Sequence, residues 1–383
     1  MDFKTKILEY KQQLIDFRRD LHRHPEASME EVRTTAKIIE ALEAAGIEYQ
    51  RVDPTGVVAT IKGGKPGKTV ALRADIDALA IQENTGLDFC SVNDGLMHAC
   101  GHDAHATGLL GGALLLNNCK QDLCGTVKLI FQPAEEICKG ASAVISQGFV
   151  DDVDMVFGMH NMPSLPSGSI AGSVGPVFAA ATWFKIKVKG KACHGALPHT
   201  GVDATVAAAA IVMNLQTLVS RNFSPMDSAV VTVGMLQSGS RFNIVSGEAY
   251  MEGTVRCLSS DVYNRVFDLM ERVCKSTAEA LGAEVEIIHD PITKVLENDP
   301  AVTELALRSA QKIVADPSLV LPQDLQMGGE DFAEFCDKAP AAFFLYGTGG
   351  DYPWHSDKYV INEDAMLTAA AMYAQVAYDA LNQ

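Results

Sequence analysis

The stretch Met97-His98-Ala99-Cys100-Gly101-His102-Asp103-Ala104-His105 places one thiol, three imidazoles and one carboxylate within nine residues. Such groups are costly to bury without partners, so crowding them suggests a positive charge in their midst. A divalent metal ion is the usual candidate, because thiolate and imidazole are its sulfur and nitrogen ligands in proteins. We therefore expect the rest of the chain to complete and cover a metal site around this stretch.

Strands and helices alternate on both sides of the stretch. The patterns predict helices at 3–21, 30–45, 107–117 and 141–147, and strands at 57–61, 69–73, 125–131 and 154–158. The last part of the chain repeats the alternation, with helices at 300–314 and 362–381 and a strand at 342–346. This order predicts an α/β fold with a mostly parallel sheet and helices on its faces.

The pattern changes near residue 181. Strands are predicted at 182–189, 229–236, 247–257 and 284–289, and helices at 203–219 and 261–281. The order β-α-β-β-α-β is that of a ferredoxin-like unit. We therefore expect a smaller domain at 181–292, inserted between residues 1–180 and 293–383 of a larger one.

Carboxylates and histidines follow several of the predicted strands of the larger domain. Asp75, Glu135, Glu136 and His160 lie at or just past strand ends, and His355 lies in the loop after the strand at 342–346. In open α/β sheets, ligands collect at the carboxyl ends of the strands. We therefore expect these strand ends to lie at one rim of the sheet, where their side chains meet the opening stretch.

Composition restricts the function further. The chain has 383 residues and a formal net charge of −17, which argues against nucleic acid or an anionic membrane as a partner. We see no signal peptide, and the most apolar run, 104–116, is too short to span a bilayer. The nine cysteines form no C-x-x-C pair, which favours reduced thiols in the cytoplasm over a disulfide framework.

Other readings of the local motifs are weaker. Gly67-Lys68-Thr69 resembles the end of a P-loop, but Lys62 stands where the first glycine belongs. No G-x-S-x-G motif is present, which disfavours a serine hydrolase of the α/β type. We expect His98 and His105 to support the site without binding metal, and His22 and His24 to be packing or capping groups.

Ordered sequence blocks along nearly the whole length carry a family resemblance. Besides the opening stretch they are RRDLHRHPE (18–26), LRADIDAL (72–79), FQPAEE (131–136), GMH (158–160), HGALPH (194–199), GTVR (253–256), MGGEDF (327–332) and HS (355–356). With these blocks the chain resembles the bacterial amidohydrolase branch of the aminoacylase/carboxypeptidase metallopeptidases. That branch includes hippurate hydrolases, N-acyl-amino-acid deacylases, N-acetyl-diaminopimelate deacetylases and auxin-conjugate hydrolases.

The resemblance implies an aminopeptidase-like catalytic domain that binds two divalent metal ions. By position, the implied ligands are Cys100, His102, Glu136, His160 and His355. Glu135 is similar to the general base of the family, and Asp75 to a residue that orients a metal-binding group. Zinc or manganese is the first expectation for the metal, and a thiolate ligand leaves cobalt and nickel open.

The resemblance also implies a lid or dimerisation role for the inserted domain, and hence a homodimer. His194 is similar to a histidine that donates to the oxyanion of the intermediate, often from the partner subunit. Asn243 and Arg256 are candidates to hold the carboxylate of the substrate, and His199 is a further substrate-binding candidate.

The chain departs from the wider superfamily at several positions. Arg73-Ala74-Asp75 stands in place of a His-x-Asp motif, and Cys100 in place of a bridging aspartate. Ala192-Cys193 replaces two glycines before His194, and Val245-Ser246 replaces an Ile-Pro pair. The first two departures are typical of the branch, whereas the others affect the region near the substrate.

Together these patterns predict a cytoplasmic, metal-dependent amidohydrolase that cleaves N-acyl amino acids, such as N-acetyl or N-benzoyl compounds, to a carboxylic acid and a free amino acid. One alternative is a dipeptidase or aminopeptidase on the same scaffold. Another is a non-catalytic binding protein for amino-acid conjugates, which predicts that the base is lost. Glu135 and every implied ligand are present, so this last alternative is disfavoured.

Overall fold

The computed structural model describes residues 1–382 and divides into two compact units. The first unit comprises Met1–Val177, Glu297–Asp324 and the chain from Asp331 onward, and the second comprises Phe178–Leu296 and Leu325–Glu330. The predicted insertion at 181–292 was one continuous segment, whereas the second unit also includes the short segment Leu325–Glu330.

The helices and strands below are numbered in chain order. The α-helices are α1 (Phe3–Lys6), α2 (Lys11–Arg23), α3 (Val32–Ala44), α4 (His102–Asn118), α5 (Gly140–Ser146), α6 (Ala204–Thr217), α7 (Ser260–Ala280), α8 (Pro300–Ile313) and α9 (Ala365–Leu381). The strands are β1 (Glu48–Arg51), β2 (Val57–Lys62), β3 (Lys65–Asp75), β4 (Cys124–Gln132), β5 (Met155–Met162), β6 (Ile170–Ala171), β7 (Gly175–Phe178), β8 (Ala180–Lys189), β9 (Cys193–His194), β10 (Ala229–Ser238), β11 (Ile244–Val245), β12 (Glu248–Cys257), β13 (Glu284–Thr293), β14 (Leu296–Asn298), β15 (Val320–Leu321) and β16 (Ala341–Gly347).

The first unit contains a mixed sheet with the strand order β1-β2-β4-β3-β5-β16-β6-β15. Its four central strands, β4, β3, β5 and β16, are mutually parallel, and β2 joins them antiparallel. Leu72 of β3 lies between Leu129 of β4 and Phe157 of β5, and all three are buried. The prediction of an α/β fold with a mostly parallel sheet is therefore confirmed.

Helix α4 links this core to the opening stretch of the sequence. Every residue from His102 to Leu116 is buried, and the helix packs against α9. A Cβ atom at Gly111 would lie 2.6 Å from the Cβ of Ala370, so glycine allows the two helix backbones to approach closely. This packing fixes the first turn of α4, which carries His102 and His105.

The second unit has a four-stranded antiparallel sheet with the order β10-β12-β8-β13. Helices α6 and α7 cover one face of this sheet. Alternate residues of β8 are buried against them: Phe184, Ile186 and Val188. The main elements follow each other as β-α-β-β-α-β, in agreement with the predicted ferredoxin-like order.

Some local elements differ from the predictions. The predicted helix at 3–21 is interrupted by a 3₁₀ turn at Ile7–Tyr10, and β3 starts at Lys65, four residues before the predicted strand at 69–73. Strand β1 was not predicted, because its sequence EYQR lacks apolar alternation and the strand lies at the edge of the sheet. These differences lie away from the strand ends that carry the predicted site.

Candidate metal centre and catalytic site

A tight turn before α4 presents Cys100 and His102 to the same place. Gly101 caps the helix with φ +81°, and a Cβ atom there would lie 2.6 Å from Nδ2 of the Asn161 side chain. Both the backbone angle and the close contact therefore require glycine. The turn brings the Sγ atom of Cys100 to 3.4 Å from Nε2 of His160, at the end of β5.

The structure brings all five predicted ligands and Glu135 together in the first unit. Three overlapping groups have their ligand atoms within 4.8 Å of one another: Cys100, His102 and His160; Cys100, Glu136 and His355; and His102, Glu135 and Glu136. Oε1 of Glu136 lies 3.9 Å from Nε2 of His102 and 3.6 Å from Nε2 of His355. The residues come from the turn before α4, from the end of β5 and from the loops after β4 and β16.

The hydrogen bonds of the histidines leave their other ring nitrogens facing this cluster. Nδ1 of His102 donates to Asp77 at 3.0 Å, and Nδ1 of His160 donates to the carbonyl of Asn161 at 2.7 Å. Nε2 of His102 and Oε1 of Glu136 are buried and have no hydrogen-bond partner among the described residues. Buried polar atoms are almost always satisfied, so these orphaned acceptors fit a bound cation.

His105 forms a candidate metal group with Asp75 and His102, but both of its ring nitrogens have hydrogen-bond partners. Nδ1 of His105 donates to Asp75 at 2.5 Å, and its Nε2 accepts from the backbone N–H of Asn161 at 2.9 Å. Both nitrogens of His105 are thus occupied, which leaves none for a metal. His98 belongs to none of the candidate metal groups found among residues 1–382, and burial lowers its pKa to about 4.

The orienting contact predicted for Asp75 belongs to Asp77 in the structure. Oδ1 of Asp75 is 3.8 Å from Nδ1 of His102, too far for a hydrogen bond, and Asp75 instead binds His105 and Arg73. Asp77 accepts from His102 and also from the backbone N–H of Glu136, at 3.0 Å each. Both acids stand in the same sequence block, two residues apart, and the sequence did not show which one contacts the ligand.

The cluster carries an excess of negative charge, which together with burial shifts the pKa of several of its groups. Burial, reinforced by Glu136 and Glu135, raises the pKa of the Cys100 thiol well above its ordinary value. Burial also raises the pKa of Glu136 to about 7. Burial alone would lower the pKa of His102, but the charge of Asp75 and the hydrogen bond to Asp77 outweigh it and raise the pKa to about 10. A divalent cation satisfies the same charge by replacing these protons.

Comparisons with known proteins identify the family of this chain. The model of peptidase family M20/M25/M40 matches residues 71–379. The N-acetylcysteine deacetylase of Bacillus subtilis is 42% identical over 366 residues, which cover 95% of this chain and 96% of that protein. The chain belongs to peptidase family M20/M25/M40.

Further relatives within the M20 family have other names. Thermostable carboxypeptidase 1 of Saccharolobus solfataricus is 38% identical over 384 residues, which cover 98% of this chain and 97% of that protein. A crystal structure from Bacillus subtilis, described as a dinuclear metal-binding peptidase of the M20 family, is 39% identical and superimposes with a TM-score of 0.89. That match covers 97% of this chain and 99% of the other.

The residues that family resemblance assigns to the inserted domain lie in the second unit. His194 in β9 is opposite Ile244 of β11, and the N–H of Gly195 donates to the carbonyl of Asn243 at 2.9 Å. His194 and Asn243 are therefore close neighbours. Nδ1 of His194 accepts from the N–H of Ala196 at 3.0 Å, so the neutral ring carries its proton on Nε2.

Arg256 is not near these two residues in the second unit. Asn243 precedes the first residue of β12, Glu248, whereas Arg256 lies eight residues further along that strand, opposite Ala181 of β8. At about 3.3 Å per residue, this separation along β12 is about 26 Å. His199 lies on the exposed 3₁₀ turn Pro198–Thr200. Asn243 and Arg256 of one chain thus stand at opposite ends of a strand.

Besides Asp77, sequence reasoning missed residues that hold the ligands in place. Asn161 binds the carbonyl of Cys100 through its side chain and accepts from the indole N–H of Trp354 at 3.1 Å. The ring of Trp354 packs edge-on against His160, with centroids 4.7 Å apart. His355 has φ +64°, and its N–H donates to Ala99 at 2.9 Å. The only sequence signal for Asn161 is its position directly after His160.

Proposed function

We propose that this chain is a metal-dependent amidohydrolase that hydrolyses the amide bond of N-acyl amino acids to a carboxylic acid and a free amino acid. The observation that carries the proposal is the largely buried cluster of thiol, imidazole and carboxylate groups, with His355 at its exposed side and Glu135 within it. The names of relatives that match over nearly the whole chain support the substrate class.

The proposed cofactor is a pair of divalent ions held by Cys100, His102, Glu136, His160 and His355. The orphaned Nε2 of His102 and Oε1 of Glu136 fit this role. Zinc or manganese remains our first expectation, with cobalt and nickel open. When bound, such ions supply Lewis acidity and lower the pKa of water from 15.7 to about 7.

In the proposed mechanism, neighbouring carboxylates divide the work. Glu136 binds metal, and Glu135 takes the proton of the attacking water and returns it to the leaving nitrogen. Asp77 fixes both Nδ1 of His102 and the backbone N–H of Glu136, so it aligns two ligands at once. Asp75, by contrast, contacts Arg73 and His105.

His194 is the proposed donor to the oxyanion that develops on the carbonyl oxygen. Its backbone contact leaves the Nε2 proton available for donation, which is the form that this role needs. Asn243, Arg256 and His199 remain proposed substrate contacts. Because Asn243 lies before the start of β12 and Arg256 near its end, we infer that a carboxylate-binding site that uses both needs a second subunit.

A homodimer formed through the second unit is part of the proposal. The segment Ala204–Asn222 has the length and apolar composition of a membrane span, and 33% of it is buried within the described chain. Val206 and Met213 on α6 are 53% and 69% exposed, and Leu236 on the sheet-edge strand β10 is 43% exposed. An apolar helix beside an unpaired strand edge is a surface that a second copy covers well.

The dimer can be tested by light scattering on the purified protein. Met213→Asp combined with Leu236→Lys places charges in the proposed interface and should give monomers that remain folded. A matched control is Leu8→Asp, because Leu8 is 57% exposed on the first unit. A wild-type monomer, or a double variant that remains dimeric, would remove the dimer from the proposal.

The second candidate function is a dipeptidase or aminopeptidase; two relatives at 38% identity are named carboxypeptidases, which favours peptides as substrates. A free substrate amine needs an acidic partner near the site, which an N-acyl group does not. A non-catalytic binding protein remains disfavoured, because Glu135 lies within the cluster. A cytoplasmic location and the domain limits at 181 and 292 stay predictions.

A substrate panel tests the proposed function directly. Metal-free protein is reloaded with zinc, manganese, cobalt or nickel and assayed with N-acetyl, N-benzoyl and longer N-acyl amino acids beside dipeptides and tripeptides. We expect release of free amino acid from N-acyl compounds at higher kcat/KM than from any peptide. Preference for peptides would favour the second candidate, and inactivity with every metal and substrate would contradict both.

A further inference from the structure

The loop at residues 26–31, which we call the anchoring loop, lies outside the cluster but contacts the backbone around Glu135. Within the first unit, two of its side chains are involved: Ser28 and Glu31. Neither belongs to the ligand set or to the proposed acid–base chemistry.

Glu31 holds the residue before Glu135. Its side chain is fully buried, with Oε1 accepting from the backbone N–H of Ala134 at 2.8 Å and Oε2 accepting from the hydroxyl of Thr55. Both carboxylate oxygens are therefore committed, one of them to the catalytic turn. A buried carboxylate that accepts from a backbone amide makes a strong, charge-assisted hydrogen bond.

The backbone at Ala134 needs such support. Its φ angle is +55°, in the left-handed region, where a residue with a Cβ atom is disfavoured. Conformations of this kind persist only when their surroundings determine them. Here the carbonyl of Ala134 accepts from the N–H groups of Lys139 and Gly140, and Glu31 takes its N–H.

Ser28 acts on the other side of Glu135. Its hydroxyl donates to Oδ2 of Asp77 at 2.7 Å, and the same oxygen accepts the backbone N–H of Glu136 at 3.0 Å. The backbone N–H groups before and after Glu135 are thus each bound by a buried carboxylate. The anchoring loop supplies one of these carboxylates and orients the other.

We propose that Ser28 and Glu31 are positioning residues for amide hydrolysis, which fix the backbone on both sides of Glu135 through Asp77 and the N–H of Ala134. This inference rests on the proposed function, because it takes Glu135 as the general base. Small displacements of a proton-transfer group lower kcat strongly. Glu31 binds the backbone before Glu135 and not a proposed metal ligand, so its loss should act on kcat more than on metal binding.

The decisive variants are Glu31→Ala and Glu31→Gln, assayed as purified protein loaded with metal. Glu31→Ala should lower kcat about 10- to 100-fold, as is typical when a supporting hydrogen bond to a metal site is lost. KM and the metal content per chain should stay close to the wild-type values. Glu31→Gln should restore most of kcat, since its Oε1 still accepts from Ala134 and its amide group can donate to Thr55.

A matched control comes from the same loop. The side chain of Glu26 also accepts two backbone N–H groups, but these belong to Arg33 and Thr34 in the first turn of α3 and not to the backbone around Glu135. Glu26→Ala should lower the melting temperature and leave kcat unchanged. Should Glu31→Ala fail to fold, Ser28→Ala decides, with an expected loss of kcat of about tenfold measured at saturating metal, because Ser28 acts through Asp77, which also binds His102.

Unchanged kcat in Glu31→Ala, or in Ser28→Ala if that variant decides, would overturn the inference, as would equal losses in Glu31→Ala and Glu31→Gln. Glu135→Gln is measured in parallel to separate the two levels of the proposal. If Glu135→Gln is inactive and Glu31→Ala is not impaired, only the inference fails. If Glu135→Gln is active, the proposed base assignment itself fails.

Discussion

The substitution Asp77→Asn tests the hydrogen bond from His102, a contact of the kind that the sequence had suggested for Asp75. Asp77 is buried and accepts hydrogen bonds from Nδ1 of His102, the N–H of Glu136 and the hydroxyl of Ser28. Asparagine keeps one acceptor oxygen and turns the other position into a donor, so at least one of these bonds is lost.

The magnitude follows from the type of bond. A hydrogen bond to a charged group contributes about 1.5–3 kcal/mol, and each 1.4 kcal/mol is a factor of ten in affinity. Asp77→Asn should therefore weaken metal binding about 10- to 100-fold. Asp75→Asn is the matched comparison, because it removes a carboxylate two residues away that binds Arg73 and His105. Breaking that buried ion pair should cost about 3–5 kcal/mol of stability, with a smaller effect on metal affinity.

The assay is a titration of metal-free protein with zinc or manganese in competition with a coloured chelator at fixed pH. Circular dichroism establishes that each variant is folded before the titration. Weaker metal binding in Asp77→Asn than in Asp75→Asn supports the assignment. If Asp75→Asn weakens metal binding as much as Asp77→Asn or more, the reasoning from hydrogen-bond geometry is refuted.

Three further predictions concern other parts of the first unit. Gly101→Ala should greatly reduce metal content measured by mass spectrometry, because φ is +81° and the added Cβ would meet Asn161. Cys100→Ser should weaken metal binding in the same titration, whereas Cys119→Ser, also at a buried thiol, should not. Burial would raise the pKa of Glu83, but hydrogen bonds from His22 and the Ser91 N–H outweigh it and lower the pKa to about 2. This carboxylate thus stabilises the fold above its unfolded pKa of about 4.3, and loses that effect as the pH falls toward 2. Urea unfolding should show wild type more stable than Glu83→Gln at pH 7, with the gap closing near pH 2; a gap independent of pH would contradict the cause.

Sequence patterns predicted the rim of the parallel sheet well, because residues that follow parallel strands meet at one edge. Glu136, His160 and His355 come from distant parts of the chain, yet each lies near or after the carboxyl end of a central strand, and the structure brings them to Cys100. The prediction needed only strand positions and the rule that ligands collect at the carboxyl ends.

Details that depend on side-chain direction or register were not predictable in the same way. Asp75 and Asp77 have the same local pattern, and only the folded geometry shows which one contacts His102. Asn243 and Arg256 are close in sequence, but an intervening strand places them far apart. The segment Leu325–Glu330 groups with the second unit through contacts that local sequence does not encode.

The central claim is that Glu135 transfers the proton in a site whose metal is held by other residues. The most direct measurement is kcat of Glu135→Gln on the best N-acyl amino acid, together with the metal content of the same sample. We predict a loss of about 10²- to 10⁴-fold in kcat with metal content equal to that of the wild type. Full activity of Glu135→Gln at unchanged metal content would contradict the account.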